Sequence, residues 1–307
     1  MRYLVPLALL LASPASAETW GPFTVAESGK SFATLQDAVD SLEGGDGTIR
    51  IAPGTYKDCA VAKYGRIAFV ASRPGTAIFD GGICERKATL VLSGRTARVE
   101  GLIFTHTYLP EGNGSGIRIQ KGDLNVVSCT FIDAQGGILS AIDPSGTISI
   151  DRSTFSGLGK RPDGSGSHSL YVGGYGALKV TNTRFERGTG GHYLKSRAAR
   201  IEVLNSSFDD SRGSDTDYMI DLPNGAVGRI AGNTFVNGSN KDNYGTMIAV
   251  AAEEREHPSG GLTIEGNRAW LVPNFPQWTA FVGNWSGEQL VVRDNDLAPR
   301  ITEIAPR

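Results

Sequence analysis

The segment "GGHYLKSRAARIEVLNSSF" (residues 190–208) places His192, Lys195 and Arg197 within six residues, with Tyr193 among them. Two flanking segments resemble its start: "HSLYVGG" (168–174) and "YMIDLPNG" (218–225). Set in register, Leu170, Leu194 and Ile220 make one column and Tyr171, Lys195 and Asp221 the next. In a strand, alternate residues face opposite sides, so an inward leucine column sends the other outward. Tyr193 and Arg197, two residues to either side of Lys195, are then expected on its face. His168, His192 and Tyr218 form a third column at the strand entrance. It joins the patch only if the chain is still rounding a corner there, which Gly190-Gly191 permits. Arg118, in "NGSGIRI" (113–119), faces outward two coils earlier.

Such a group suits proton transfer next to an anion. Lys and Tyr serve as base and acid when neighbouring cations depress their pKa, and Arg or protonated His binds a carboxylate. Cleavage of a uronate-containing polysaccharide by β-elimination needs those three tasks: removal of the C5 proton, neutralisation of the adjacent carboxylate, and protonation of the departing oxygen. The expected catalytic set is Lys195 as base, Tyr171 or His168 as acid, and Arg197 with His192 as carboxylate clamp, the Tyr and Lys roles being exchangeable. Tyr193, Tyr218, Asp221 and Arg118 are expected to bind substrate. Two other enzyme readings remain open, a glycoside hydrolase using Asp221 with a second carboxylate and a uronate epimerase. A non-catalytic glycan-binding envelope protein is the reading from another class. Asp209, Asp210, Asp215 and Asp217 read as a solvated acidic loop, with Ca²⁺ binding or paired carboxylates for glycoside hydrolysis as the alternatives. No cofactor is expected.

The elements that hold these residues recur. Phe104, Phe131, Phe155, Phe185, Phe208 and Phe235 end similar motifs 23 to 30 residues apart, and "LTIEGNRAWLV" and "LVVRDNDLAP" repeat the pattern without the phenylalanine. Each unit holds two or three short alternating strands between Gly, Asn, Asp or Ser. No unit can bury its apolar face alone, so coils must stack. Asn182, Asn205 and Asn233 suit left-handed corners. Ahead of the repeats, "SFATLQDAVDSLEGG" predicts a capping helix with Ser31 as N-cap, one face of Phe32, Leu35, Val39 and Leu42, and Gly44-Gly45 as its stop. Trp270, Trp278 and Trp285 read as an apolar cap at the other end.

The chain has 307 residues, 40 of them glycine, only 20% charged, with a net charge of −2, so no global field favours nucleic acid or an anionic membrane. Residues 1–17 carry Arg2, an apolar run and Ala15-Ser16-Ala17, the pattern of a cleaved export signal, which predicts a secreted or periplasmic protein. No later stretch reaches the roughly 20 apolar residues of a membrane helix. Residues 18–307 then form the folded part, with a cap over about 18–47, and a monomer acting on an acidic polysaccharide is expected. Of three cysteines, Cys59 and Cys84 lie about one repeat apart and are the preferred disulfide, leaving Cys129 a buried thiol; no spacing supports zinc.

A capping helix, then "GTIRIAPGTY", then Asn-rich coils resembles the pectate-lyase-like superfamily, which implies an all-β, right-handed parallel β-helix. "LKSRAARIEVLNSSF" is similar to the alginate-lyase and chondroitinase-B family, in which a "KS" strand motif supplies a base lysine, and the resemblance implies that role for Lys195. The chain departs from that family at Asp221, where a cation is usual, and at Gly190-Gly191-His192, where calcium-holding acids are usual.

Overall fold

The computed structural model describes residues 21–160, 164 and 167–307; the export signal expected at 1–17 lies outside them. The architecture is a β-solenoid of three ladders. Among the described residues one sheet has twelve strands and two have ten, and strands adjacent in a sheet come from successive coils. Among the described residues the strands of successive coils pair in parallel, and of the named strands only the first ones, Phe23–Val25 with Ser31–Phe32 and with Gly47–Ile51, run antiparallel. The chain is therefore all-β, a parallel β-helix.

Residues facing inward from each ladder meet in one continuous core. The repeating phenylalanines form its spine. Phe79, Phe104, Phe131, Phe155, Phe185, Phe208 and Phe235 stack face to face with ring centroids 4.8–5.7 Å apart, close to the strand spacing that the ladder imposes. The column continues as Ala269 and Leu297, in register with Phe235, where the later motifs lack the ring.

From Phe104 onward the chain turns sharply three residues before each phenylalanine, at positive φ: Ser128, Arg152, Asn182 and Asn205 take it at 48–53°. Asn233 does not. Gly232 adopts the corner there (φ 68°), and Asn233 turns into the interior, where its amide bonds Asn267 at 3.0 Å and Asn267 in turn bonds Asn295 at 2.9 Å. This ladder satisfies buried amides that would otherwise be costly to bury.

The N-terminal helix is shorter than its pattern, Leu35–Asp40, and Thr34 caps it by accepting from the Asp37 N–H at 3.1 Å. Ser31 and Phe32 pair as a strand instead, because Thr24 offers the hairpin a partner in register and a hydroxyl contact at 2.8 Å. Leu35, Ala38 and Val39 bury against the first coil. Cys59 and Cys84 are joined, with Cα atoms 5.5 Å apart, and Cys129 is a buried thiol whose pKa burial pushes up to about 12. Trp270 and Trp278 are exposed rather than forming an end cap, since they stand on the outer side of their coils.

Candidate functional site on the third sheet

The site lies on three consecutive rungs of one ten-stranded sheet: Leu170–Val172, Leu194–Ser196 and Ile220–Leu222. Leu170 pairs with Leu194 and Leu194 with Ile220, all fully buried, while Tyr171 pairs with Lys195 and Lys195 with Asp221 on the other face. Upstream rungs extend the outward column through Leu139 to Arg118.

Lys195 is the hub. Its Nζ donates to Asp221 Oδ2 at 2.8 Å and to Glu253 Oε1 at 2.5 Å, and only 9% of its side chain is exposed. Burial alone would lower its pKa, but attraction to Asp221 and Glu253 outweighs this and raises it. The depressed pKa expected of a base lysine is therefore absent. Two carboxylates hold the proton on, where sequence reasoning had seen only one.

Arg197 joins the hub to the groove. Its Nε donates to the Tyr171 hydroxyl at 3.1 Å, while its two terminal nitrogens donate to Glu253 Oε2 and Asn224 Oδ1. Burial acts against its charge, yet the bonds to Tyr171 and Glu253 raise its pKa further still. The Glu253 carboxylate thus bridges two cations, one oxygen on each. It comes from the irregular segment after Thr246–Val250, which folds back through bonds from the Glu253 and Glu254 amides to the Pro223 carbonyl and from the His257 amide to the Asn224 carbonyl. His257 also contacts the Arg197 carbonyl through Nε2 at 3.2 Å.

The entrance column is present and stacked. His168 and His192 lie 4.9 Å apart, His192 and Tyr218 5.3 Å apart, with planes within 7°. Each histidine Nδ1 accepts a backbone N–H from the next rung: His192 N to His168 at 3.2 Å and Tyr218 N to His192 at 3.1 Å. An accepting Nδ1 fixes the neutral tautomer with its proton on Nε2. His192 is accordingly not a cation for a substrate carboxylate. Burial holds its pKa well below the usual imidazole range, and its Nε2 faces Asp221 Oδ2 at 3.2 Å. Asp221 is itself buried, which raises its pKa to about 6 against the pull of Lys195, and its Oδ1 has no partner among the described residues. A residue so enclosed supports Lys195 rather than touching a ligand.

Tyr193 leaves the patch altogether. Gly190 and Gly191 enter the rung at φ 145° and 63°, so the pleat begins only at Leu194 and the preceding side chain turns inward. There its hydroxyl donates to Asp210 at 2.7 Å and accepts from the Gly188 amide. Asp210, expected in a solvated acidic loop, is fully buried and ion-paired with Lys241 at 2.9 Å, with Thr216 donating to the same carboxylate. Lys241 is its counter-ion, so Asp210 is not presented to a cation. Among the described residues no group of three or more His, Cys, Asp or Glu could hold a metal ion.

The accessible surface is a groove of about 320 Å³ lined by Arg118, Leu139, Ser140, His168 and Tyr171, with the segment Glu111–Ser115 as one wall. The Arg118 Nε is buried without a hydrogen-bond partner among the described residues, and burial lowers its pKa; a guanidinium keeps its charge regardless. Tyr218 hydrogen-bonds Asn243 through its hydroxyl and contacts the Trp285 ring at 6.4 Å, beyond the groove. Of the residues singled out from sequence, Tyr171, His168 and Arg118 line the groove, Arg197 touches it through Tyr171, and Lys195, His192 and Asp221 lie beneath. Glu253 and Asn224 were not foreseen, for both sit in connections that carry no strand periodicity.

No family model matches the chain, and no curated protein matches it. Among solved structures, the rice weevil pectin methyl esterase covers 74% of this chain and 80% of its own, at 9% identity and a TM-score of 0.48.

Proposed function

We propose that the protein is a carbohydrate-active enzyme, a lyase that cleaves an acidic polysaccharide by β-elimination, with Tyr171 as base. The observation that carries this reading is the Tyr171 hydroxyl, which lines the groove and accepts a hydrogen bond from the Arg197 guanidinium. A cation donating to that oxygen stabilises its phenolate form, the form that accepts a proton. As a phenolate, Tyr171 takes the C5 proton of a uronate, the C5–H electron pair forms the C4–C5 double bond, the C4–O bond breaks, and the phenol so formed gives its proton to the departing oxygen. His168 stands edge-on to Tyr171 at 5.4 Å and flanks it in the groove. Arg118, two rungs and so about 9.6 Å along the ladder from Tyr171, holds a second acidic group of the chain.

Tyr171 takes the base role expected of Lys195 from the sequence. The lysine amine is enclosed and doubly paired, so it supplies fixed positive charge below the reacting centre. A hydrolase would need two carboxylates free to flank a glycosidic bond. Asp221 and Glu253 instead share one ammonium, and Asp221 is buried.

The test is turnover of a panel of uronate polymers, followed by the ultraviolet absorbance of the conjugated double bond in the product. Wild type should generate it and Tyr171→Phe should lose about a hundredfold or more of the rate. Binding without turnover by wild type would support the glycan-binding reading, and full activity of Tyr171→Phe would remove the assigned base.

A further inference from the structure

The Glu253 carboxylate occupies a two-cation seat, with one oxygen on Lys195 and the other on Arg197. Three features distinguish it from a structural carboxylate. Asp221 already neutralises Lys195 from within the sheet at 2.8 Å, so the ammonium has a partner without Glu253. Glu253 is 44% exposed, while Lys195 and Asp221 are enclosed, so it closes the seat from the solvent side. Its segment is attached by backbone bonds to Pro223 and Asn224 rather than by the ladder. The same Arg197 that holds Glu253 also holds the Tyr171 hydroxyl at 3.1 Å.

We infer that Glu253 is an internal stand-in for a substrate carboxylate: the Lys195–Arg197 seat receives the acidic group of the sugar being cleaved, and Glu253 must be displaced for it to enter. This rests on the lyase reading and deepens it. The carbon that loses its proton in β-elimination is the one bearing the carboxylate. A uronate carboxylate seated on Arg197 therefore brings that carbon beside Tyr171, which shares the guanidinium. A neutral sugar offers nothing to displace Glu253, so the residue selects for chains acidic at this position. With Arg118 about 9.6 Å away along the ladder, the second contact falls on an acidic group about two sugars distant, where a flat twofold chain again presents the same side.

The experiment measures binding of tetrasaccharides of polygalacturonate and polymannuronate by calorimetry at low salt, to wild type and to Glu253→Gln, which keeps the shape and removes the charge. If Glu253 is a stand-in, the variant binds the better of the two about two- to fivefold more tightly, the scale of one partly exposed ion pair. Arg197→Gln in the Glu253→Gln background should abolish that gain, and a neutral tetrasaccharide should show none. Unchanged or weaker binding by a Glu253→Gln protein with wild-type circular dichroism overturns the inference and makes Glu253 a structural partner of Lys195. The two proposals fail separately. Loss of the gain with ultraviolet-absorbing product still formed removes the stand-in alone, whereas a gain without any unsaturated product removes the lyase reading and leaves the seat.

Discussion

Replacing Lys195 with methionine keeps most of its volume and removes its charge, and the structure sets where the cost falls. Glu253 is exposed enough to rehydrate, so its loss of a partner is cheap. Asp221 has no such escape: it is buried, its Oδ1 has no partner among the described residues, and its Oδ2 would keep only the His192 Nε2–H. Removing one member of a buried pair costs about 3–5 kcal/mol. The pH dependence follows from the Asp221 pKa of about 6, raised above its ordinary 3.8 by burial. The folded state thus takes up the proton more readily than the unfolded chain. Its contribution to stability is complete below the unfolded value and is lost as pH rises through about 6. In Lys195→Met nothing opposes that loss, so Asp221 titrates higher still. Denaturant unfolding followed by circular dichroism should show the variant about 3 kcal/mol or more less stable than wild type near pH 7.5, shrinking to about 1 kcal/mol near pH 4.5. Adding Asp221→Asn should recover at least half of the loss at the higher pH. A cost under about 1 kcal/mol at pH 7.5, or no recovery in the double variant, would show that the pair is not the buried unit described.

Three further outcomes are expected. Phe185→Ala opens a gap in a stack whose rings lie 4.8 Å to either side, and should cost about 3–5 kcal/mol in unfolding free energy. Cys84→Ser frees a loop whose ends are 25 residues apart and should lower unfolding stability by about 3.5 kcal/mol, with the same shift in wild type on reduction. Arg118→Ala should raise KM for an acidic polymer about tenfold with kcat nearly unchanged, because Arg118 contacts a sugar distant from the bond that breaks.

The scaffold was legible because it repeats. Six phenylalanines at near-equal intervals require equivalent positions in stacked coils, and the alternation of Leu170, Leu194 and Ile220 fixes which face their neighbours occupy. That logic reaches as far as the pleat does. Tyr193 lies one residue outside its rung, where two glycines set the direction, so alternation assigns it to the wrong side. Asp210 looks solvated in a run of acids, since its counter-ion Lys241 is 31 residues away in the next coil. Glu253 lies 58 residues from Lys195 in a connection without period, and no local pattern brings the two together. The charge of Lys195 was misread for the same reason, because Glu253 joins Asp221 in holding its proton on, whereas His192 is kept neutral by burial, which alternation alone does not reveal.

The central claim is that the groove beside Tyr171 and Arg197 breaks a uronate chain by elimination rather than by adding water. Mass spectrometry of the fragments decides it most directly. The masses of paired products should sum to that of the parent oligosaccharide, with one fragment carrying the double bond, and Tyr171→Phe should yield neither. Product pairs heavier than the parent by one water would contradict it and return the site to the hydrolases.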